Sequence, residues 1–313
     1  MKINKCFYIF AITVVVAVFT ACSQFEDTVT PSPTVSTDNP AVRFVPNNTK
    51  SFEFDPSGVM SFTLQVIRNH SSSTLEVPIT VVKNPNNSFI IPEKVSFEAN
   101  KDTANIIINV NPSAETGVAL PIELSFEDQY TNPYKVEYSD YIGVVSLIKW
   151  NNLGNGQFFD SFSFTTSSAG YIASVKIEQR DDKPSIYRIS YPYSVAILTA
   201  AEWDNWIGGN TQQFIYFTVS SDGKNVTWDK FWYTNLIYQG TAGQYIKAYL
   251  PSAINKTGDA KSIVVYNSDN SIKYFELYPS FYIDGLGGWG LNEVDLAFPG
   301  YDLSAETGFS IIY

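Results

Sequence analysis

The chain has 313 residues, with 20 basic against 31 acidic side chains and a net charge of −11. So acidic a surface repels phosphate backbones and argues against nucleic acid as a partner. A single histidine (His70) and two cysteines (Cys6, Cys22) argue against a Ser-His-Asp triad, a histidine-rich zinc site and a disulfide framework, so no metal or cofactor is expected.

In chain order, Lys2 and Lys5 precede an apolar run from Phe7 to Phe19. That run is shorter than the roughly 20 residues of a membrane span and suits the core of a signal peptide covering residues 1–21. It ends in "FTAC", which resembles the lipobox of bacterial lipoproteins. The resemblance implies that Cys22 opens the mature protein and carries lipid, making the membrane a partner; the alternative is an ordinary secretory signal with an incidental cysteine. Glu26 and Asp27 resemble the export signal of Bacteroidetes surface lipoproteins, and "DTV" (27–29) and "DTA" (102–104) fit the O-glycosylation motif of that phylum. These resemblances imply an outer-membrane location facing the cell exterior. The stretch "TVTPSPTVSTDNP" completes a tether over residues 22–40: proline and hydroxyl residues without apolar periodicity read as semi-extended chain.

From Ala41 the pattern becomes β. "MSFTLQVIR", "LEVPITVVK", "KVSFEA", "ANIIINV" and "LPIELSFED" are short runs, many alternating with period two and parted by turn residues. This spacing predicts an immunoglobulin-like sandwich over 41–148. "VRFVP" and "FIIPEKVSFEANKDTANIIINV" resemble Calx-β modules. The calcium-site acids of those modules are not evident, and Glu98, Asp102, Glu127 and Asp128 read as solvated turn charges.

All six tryptophans lie at or beyond residue 150. Runs such as "QFFDSFSFTT", "YIASVKIEQ", "QFIYFTVS" and "KYFELYPSFYID" predict a second, larger, jelly-roll-like sandwich over 149–313, so the fold class is all-β with two sandwich domains. "WNNLGNGQFFD" and "YRISYPY" resemble elements of uncharacterised Bacteroidales surface lipoproteins, which implies location and architecture rather than activity. One helix is expected in "TAAEWDNWIGG", with Thr199 as N-cap, Glu202 completing a capping box and Gly208–Gly209 as the stop. On it Trp203, Trp206 and Ile207 would share a face, with Asp204 and Asn205 turned away.

Catalytic readings have little support. "GLGGWG" (285–290) spells a dinucleotide fingerprint but no helical period follows, so a glycine-rich loop presenting Trp289 is expected instead. Paired carboxylates remain, from Asp160, Glu178, Asp204, Asp229, Asp284, Glu293 and Asp295, but none lies in a glycosidase motif, and a non-enzyme is expected. Sugar rings stack on indole and phenol faces with polar groups alongside, a mix offered by Trp203, Asp204, Asn205, Trp206, Trp228, Asp229, Trp232, Tyr233 and Trp289. In "VTWDKFWYT", alternation puts Trp228, Lys230 and Trp232 on one face, and the lysine suggests that this face is wet; the alternative is that the indoles fill the core. Two functions follow: glycan binding by the aromatic domain, or adhesion to a surface protein partner.

Overall fold

The computed structural model describes residues 38–132, 134 and 138–313, so the signal segment, Cys22 and most of the tether lie outside the described residues. The N-terminal part is built from β1 (Arg43–Phe44), β2 (Ser51–Phe54), β3 (Ser61–Ile67), β4 (Leu75–Pro78), β5 (Thr80–Lys83), β6 (Phe89–Ile90), β7 (Lys94–Phe97), β8 (Thr103–Val110), β9 (Ala119–Ser125) and β10 (Asp140–Leu147). Two four-stranded sheets, β1-β3-β8-β6 and β2-β10-β9-β5, enclose one core, and β4 pairs with β7 beside them. Period-two alternation sets the inward face: on β3, Phe62, Leu64 and Val66 are buried while Thr63 and Gln65 are exposed.

The remainder forms β11 (Trp150–Asp160), β12 (Tyr171–Arg180), β13 (Ile186–Ser190), α1 (Val195–Ala200), β14 (Phe214–Val219), β15 (Val226–Trp228), β16 (Phe231–Ile237), β17 (Tyr245–Tyr249), β18 (Ile263–Tyr266), β19 (Ile272–Leu277), β20 (Ser280–Ile283), β21 (Gly287–Leu291), β22 (Val294–Ala297), α2 (Leu303–Thr307) and β23 (Ser310–Ile312). A nine-stranded sheet runs β15-β14-β13-β12-β11-β22-β19-β18, with β23 joined in parallel to β12. The four-stranded sheet β16-β17-β20-β21 contributes to the same hydrophobic core, in which Phe158, Phe217, Trp232, Phe275 and Phe281 are wholly buried. The architecture is therefore all-β and sandwich-like, with two separate hydrophobic cores. Among the described residues no helix is long and apolar enough to cross a membrane.

The helix differs from expectation. It spans Val195–Ala200 and is capped by Ser194, whose hydroxyl accepts from Ile197 N–H. It ends ahead of the tryptophans, where Glu202 takes a left-handed φ of 64°. Thr199 thus sits inside the helix rather than at its cap, because Ser194 follows a proline-led extended segment and supplies an earlier start.

The two cores are joined by a polar junction. Asp55, just beyond β2, accepts from Arg188 Nη1 at 2.8 Å, Tyr216 Oη at 3.1 Å and Trp150 Nε1 at 3.1 Å. Arg188 lies between the Trp150 and Phe214 rings, 4.3 and 4.0 Å from their centroids, and its Nε donates to Glu178 at 2.6 Å. Arg180, paired with Asp182, also reaches Glu53.

Candidate functional site

Trp228 and Trp232 are 7 % and 1 % exposed, which corrects the expectation of a wet tryptophan face. The run carrying them is not one strand. Trp228 closes β15 in the nine-stranded sheet, Asp229 and Lys230 form a bend, and Trp232 lies on β16 in the four-stranded sheet. Both indoles point into the shared core, with rings 5.0 Å apart in a T-shaped pair. Trp232 Nε1 donates to Tyr193 Oη at 2.8 Å, and Tyr193 donates to the buried Asp160 at 2.8 Å. Lys230 is solvated because it occupies the bend, so its exposure says nothing about the strand face.

With Trp232 inward, period two turns Phe231 and Tyr233 outward. Their rings lie 5.3 Å apart and nearly perpendicular, and Tyr245 on β17 meets Tyr233 at 5.5 Å. These three rings and the segment Gly209–Gln212 line an open groove of about 440 Å³. Segment and strand are locked together. Tyr233 N–H donates to Gln212 Oε1 at 3.0 Å, Gln212 N–H to Asn210 Oδ1 at 2.8 Å, and Tyr191 Oη to Tyr233 O at 2.9 Å. Gly208 N–H donates to Asn235 O, and a Cβ at Gly208 would stand 2.2 Å from Ile237 Cγ1, so only glycine permits this approach. Among the described residues, neither the Tyr233 nor the Tyr245 phenol has a hydrogen-bond partner, leaving both for a ligand.

Beside the groove, Lys247 Nζ lies 2.6 Å from Asp284 Oδ2 and 4.5 Å from the Phe231 centroid. Tyr249 Oη donates to Asp284 Oδ1, and together with the Lys247 bond this holds the carboxyl below the usual carboxylate range.

Trp203, Trp206 and Trp289 gather elsewhere. Phe162, Trp203, Trp206, Tyr238 and Trp289 form a closed ring of neighbouring aromatics with centroids 5.0 to 6.2 Å apart. Trp203 is fixed by donating Nε1 to Ser163 O at 2.9 Å, while Trp289 is 45 % exposed. Trp289 lies on the strand β21 rather than in a loop, and with Tyr238 and Leu286 it lines another, smaller pocket of about 290 Å³. Asp204, Asn205 and Asp229 are exposed and line neither pocket.

Of the candidate carboxylates Glu293 and Asp295 are neighbours, and none of the set lines either pocket. Burial raises Asp160 to about 6 against the opposing hydrogen bonds from Tyr193, Ser163 and Phe162. Burial, then the neighbouring Glu293, Glu276 and Glu306, raises Asp295 to about 7. Burial of Glu178 is outweighed by Lys176 and Arg188, which leave it lowered. His70 is exposed in a turn with φ 58°, and the described residues contain no cluster of three or more metal-ligating side chains.

The sequence pattern did not single out Phe231, Tyr245, Lys247 or the 209–212 segment. Their usable signal was the odd-numbered outward set Phe231-Tyr233 in a run whose even positions carry the larger indoles.

No family model matches the chain, and no curated protein matches it. Among solved structures, it is similar to a "putative carbohydrate binding protein" from Bacteroides ovatus ATCC 8483, at 10 % identity over 84 % of this chain and 98 % of that one, with a TM-score of 0.27. It is also similar to an auxiliary nutrient binding protein from Bacteroides thetaiotaomicron VPI-5482, at 7 % identity over 86 % and 94 %, with a TM-score of 0.24. CBD12 from CALX1.2 aligns at 10 % identity over 48 % and 78 %, with a TM-score of 0.27. Superpositions this loose bear on neither fold nor function.

Proposed function

We propose that the protein is a non-catalytic carbohydrate-binding protein whose C-terminal sandwich takes glycan in the Phe231–Tyr233–Tyr245 groove. The observation that supports this is the outward aromatic face itself: two rings with free phenols and a third beside them, against a pinned polar segment, with no carboxylate lining the groove. Apolar sugar faces stack on such rings, while phenols and the exposed Thr211 hydroxyl suit sugar hydroxyls. The absence of a carboxylate in the groove favours holding over hydrolysis, since glycosidases flank the scissile bond with two carboxyls. The proposal includes anchorage through a lipidated Cys22, with the binding domain outside the outer membrane. The lipobox-like "FTAC" supports that part of it.

Titration calorimetry against a panel of neutral and acidic polysaccharides tests the reading. Tyr233→Ala should weaken binding about tenfold, the loss of one stacked ring, and leave the melting temperature within a few degrees. If no polysaccharide binds, the reading falls. The competing reading, a protein partner, draws on the exposed Leu286 (58 %) and Trp289. It predicts capture of an outer-membrane protein that Leu286→Asp abolishes and Tyr233→Ala does not.

A further inference from the structure

The glycan reading leaves open what kind of sugar the groove prefers, and the charges around it bear on this. Beyond Phe231 the aromatic array continues: Phe231 meets Tyr249 at 5.0 Å and Tyr249 meets Tyr282 at 5.9 Å. With Tyr233 and Tyr245 this makes five contiguous rings, of which Tyr249 is buried (2 % exposed) and the other four are partly exposed. Three ammonium groups lie against it. Lys247 Nζ is 4.5 Å from the Phe231 centroid, Lys230 Nζ 5.9 Å from Tyr249, and Lys256 Nζ 5.8 Å from Tyr282.

Among the described residues Asp284 is the one acid within salt-bridge distance of any of the three, and the exposed Asp229 adjoins Lys230 in the bend. Asp284 is spent on Lys247 and Tyr249, with Lys230 adding to its field. Asp259, the nearest acid in sequence to Lys256, accepts from Ser252 N–H in its own turn. Lys230 and Lys256 are exposed, and neither has a carboxylate within salt-bridge distance among the described residues. In a chain with a net charge of −11 this concentration of unneutralised positive charge on one aromatic face is the opposite of the molecule's overall sign. A neutral sugar has no charge for these ammonium groups to attract and gains little from them. An anionic sugar gains twice: its charge is drawn to the lysines, and the acidic remainder of the surface repels it from other docking sites.

We infer that the groove and its lysine-lined extension select an anionic saccharide, one bearing uronate carboxylates or sulfate esters. This rests on the glycan-binding reading above and narrows its ligand. Rings hold the sugar faces, and Lys230 and Lys256 hold the anionic substituents.

The test is calorimetry of the purified protein with polygalacturonate, chondroitin sulfate and dextran, each at 50 and 300 mM NaCl. Binding of polygalacturonate or chondroitin sulfate is expected, weakening about tenfold or more across that salt range, with dextran silent. Chondroitin sulfate bears uronate carboxylates as well as sulfate esters, so binding of polygalacturonate shows that carboxylate suffices, and loss of chondroitin binding on desulfation shows that sulfate is the recognised group. The double variant Lys230→Ala/Lys256→Ala should lose about tenfold in affinity, with thermal unfolding unchanged. Lys83→Ala, on the N-terminal sandwich, should lose nothing. Dextran binding as tightly as the acidic polymers, or a double variant no weaker than Lys83→Ala, would overturn the anionic preference and leave glycan binding standing. Silence from all three polymers and from a neutral panel would remove the glycan reading itself.

Discussion

Asp160 and Asp295 hold their carboxyls above the ordinary carboxylate range for the same primary reason, burial. Asp295 also faces Glu276 across the β19–β22 pair and has Glu293 and Glu306 nearby. Its folded value of about 7 lies above the unfolded 3.8, so between those values the folded state holds a proton that the unfolded state has lost. Stability therefore falls as pH rises from about 4 to 7, by at most about 1.4 kcal/mol per pH unit for one group. Asp295→Asn should remove that decline, and urea titrations at pH 4, 5.5 and 8 should show the variant's advantage growing with pH and then levelling off. An advantage independent of pH would contradict the assignment. Sequence spacing could name Asp295 as a candidate carboxylate but could not show this behaviour, because Glu276 reaches it only through strand pairing and Glu306 only through the placement of α2.

At the scale of elements, alternation in "VTWDKFWYT" groups the two tryptophans opposite Phe231 and Tyr233, and the indoles do share the inward side, although from strands of two different sheets. It could not tell which side was dry, since both carry aromatic rings and one charge each, and the two charges, Asp229 and Lys230, sit where the chain leaves one sheet for the other. The all-β class and the position of most strands were legible, since period-two runs broken by turn residues have few other solutions. The groove was not, because its wall, 209–212, is held by bonds to residues up to 21 positions away. Gly208 is the hinge of that arrangement. Gly208→Val would drive a side chain into Ile237 and lift the wall from β16, costing roughly 1–3 kcal/mol in stability. Glycan affinity should fall although residue 208 lies outside the groove lining; unchanged affinity in calorimetry would show that the segment is dispensable.

Across the whole molecule, the junction at Asp55 makes the two sandwiches depend on each other. Burial alone would raise its pKa, but the Ser57 hydroxyl and N–H and the Arg188 charge outweigh it and leave it lowered. Its contribution is thus complete above the unfolded value of 3.8 and disappears as pH falls through the lower folded value. Asp55→Ala would leave Arg188 buried between two rings with Glu178 as its remaining carboxylate. A loss of about 3–5 kcal/mol is expected, with one calorimetric unfolding transition separating into two. A single unshifted transition would show that the junction does not couple them. Nothing in "FEFDPSG" marks Asp55 for this role, since its partners lie 95 to 161 residues away.

The placement of that junction has a mechanical consequence. Arg188, Glu178 and Tyr216 project from the outer side of the nine-stranded sheet, whereas Phe231, Tyr233 and Tyr245 project from the outer side of the four-stranded one. Tension from a polymer pulling on the groove would cross the full thickness of the C-terminal sandwich before reaching β10 and the chain's N-terminal end. The indole–phenol–carboxyl line of Trp232, Tyr193 and Asp160 joins β16 of the four-stranded sheet to β11 of the nine-stranded one and would carry such a load between them.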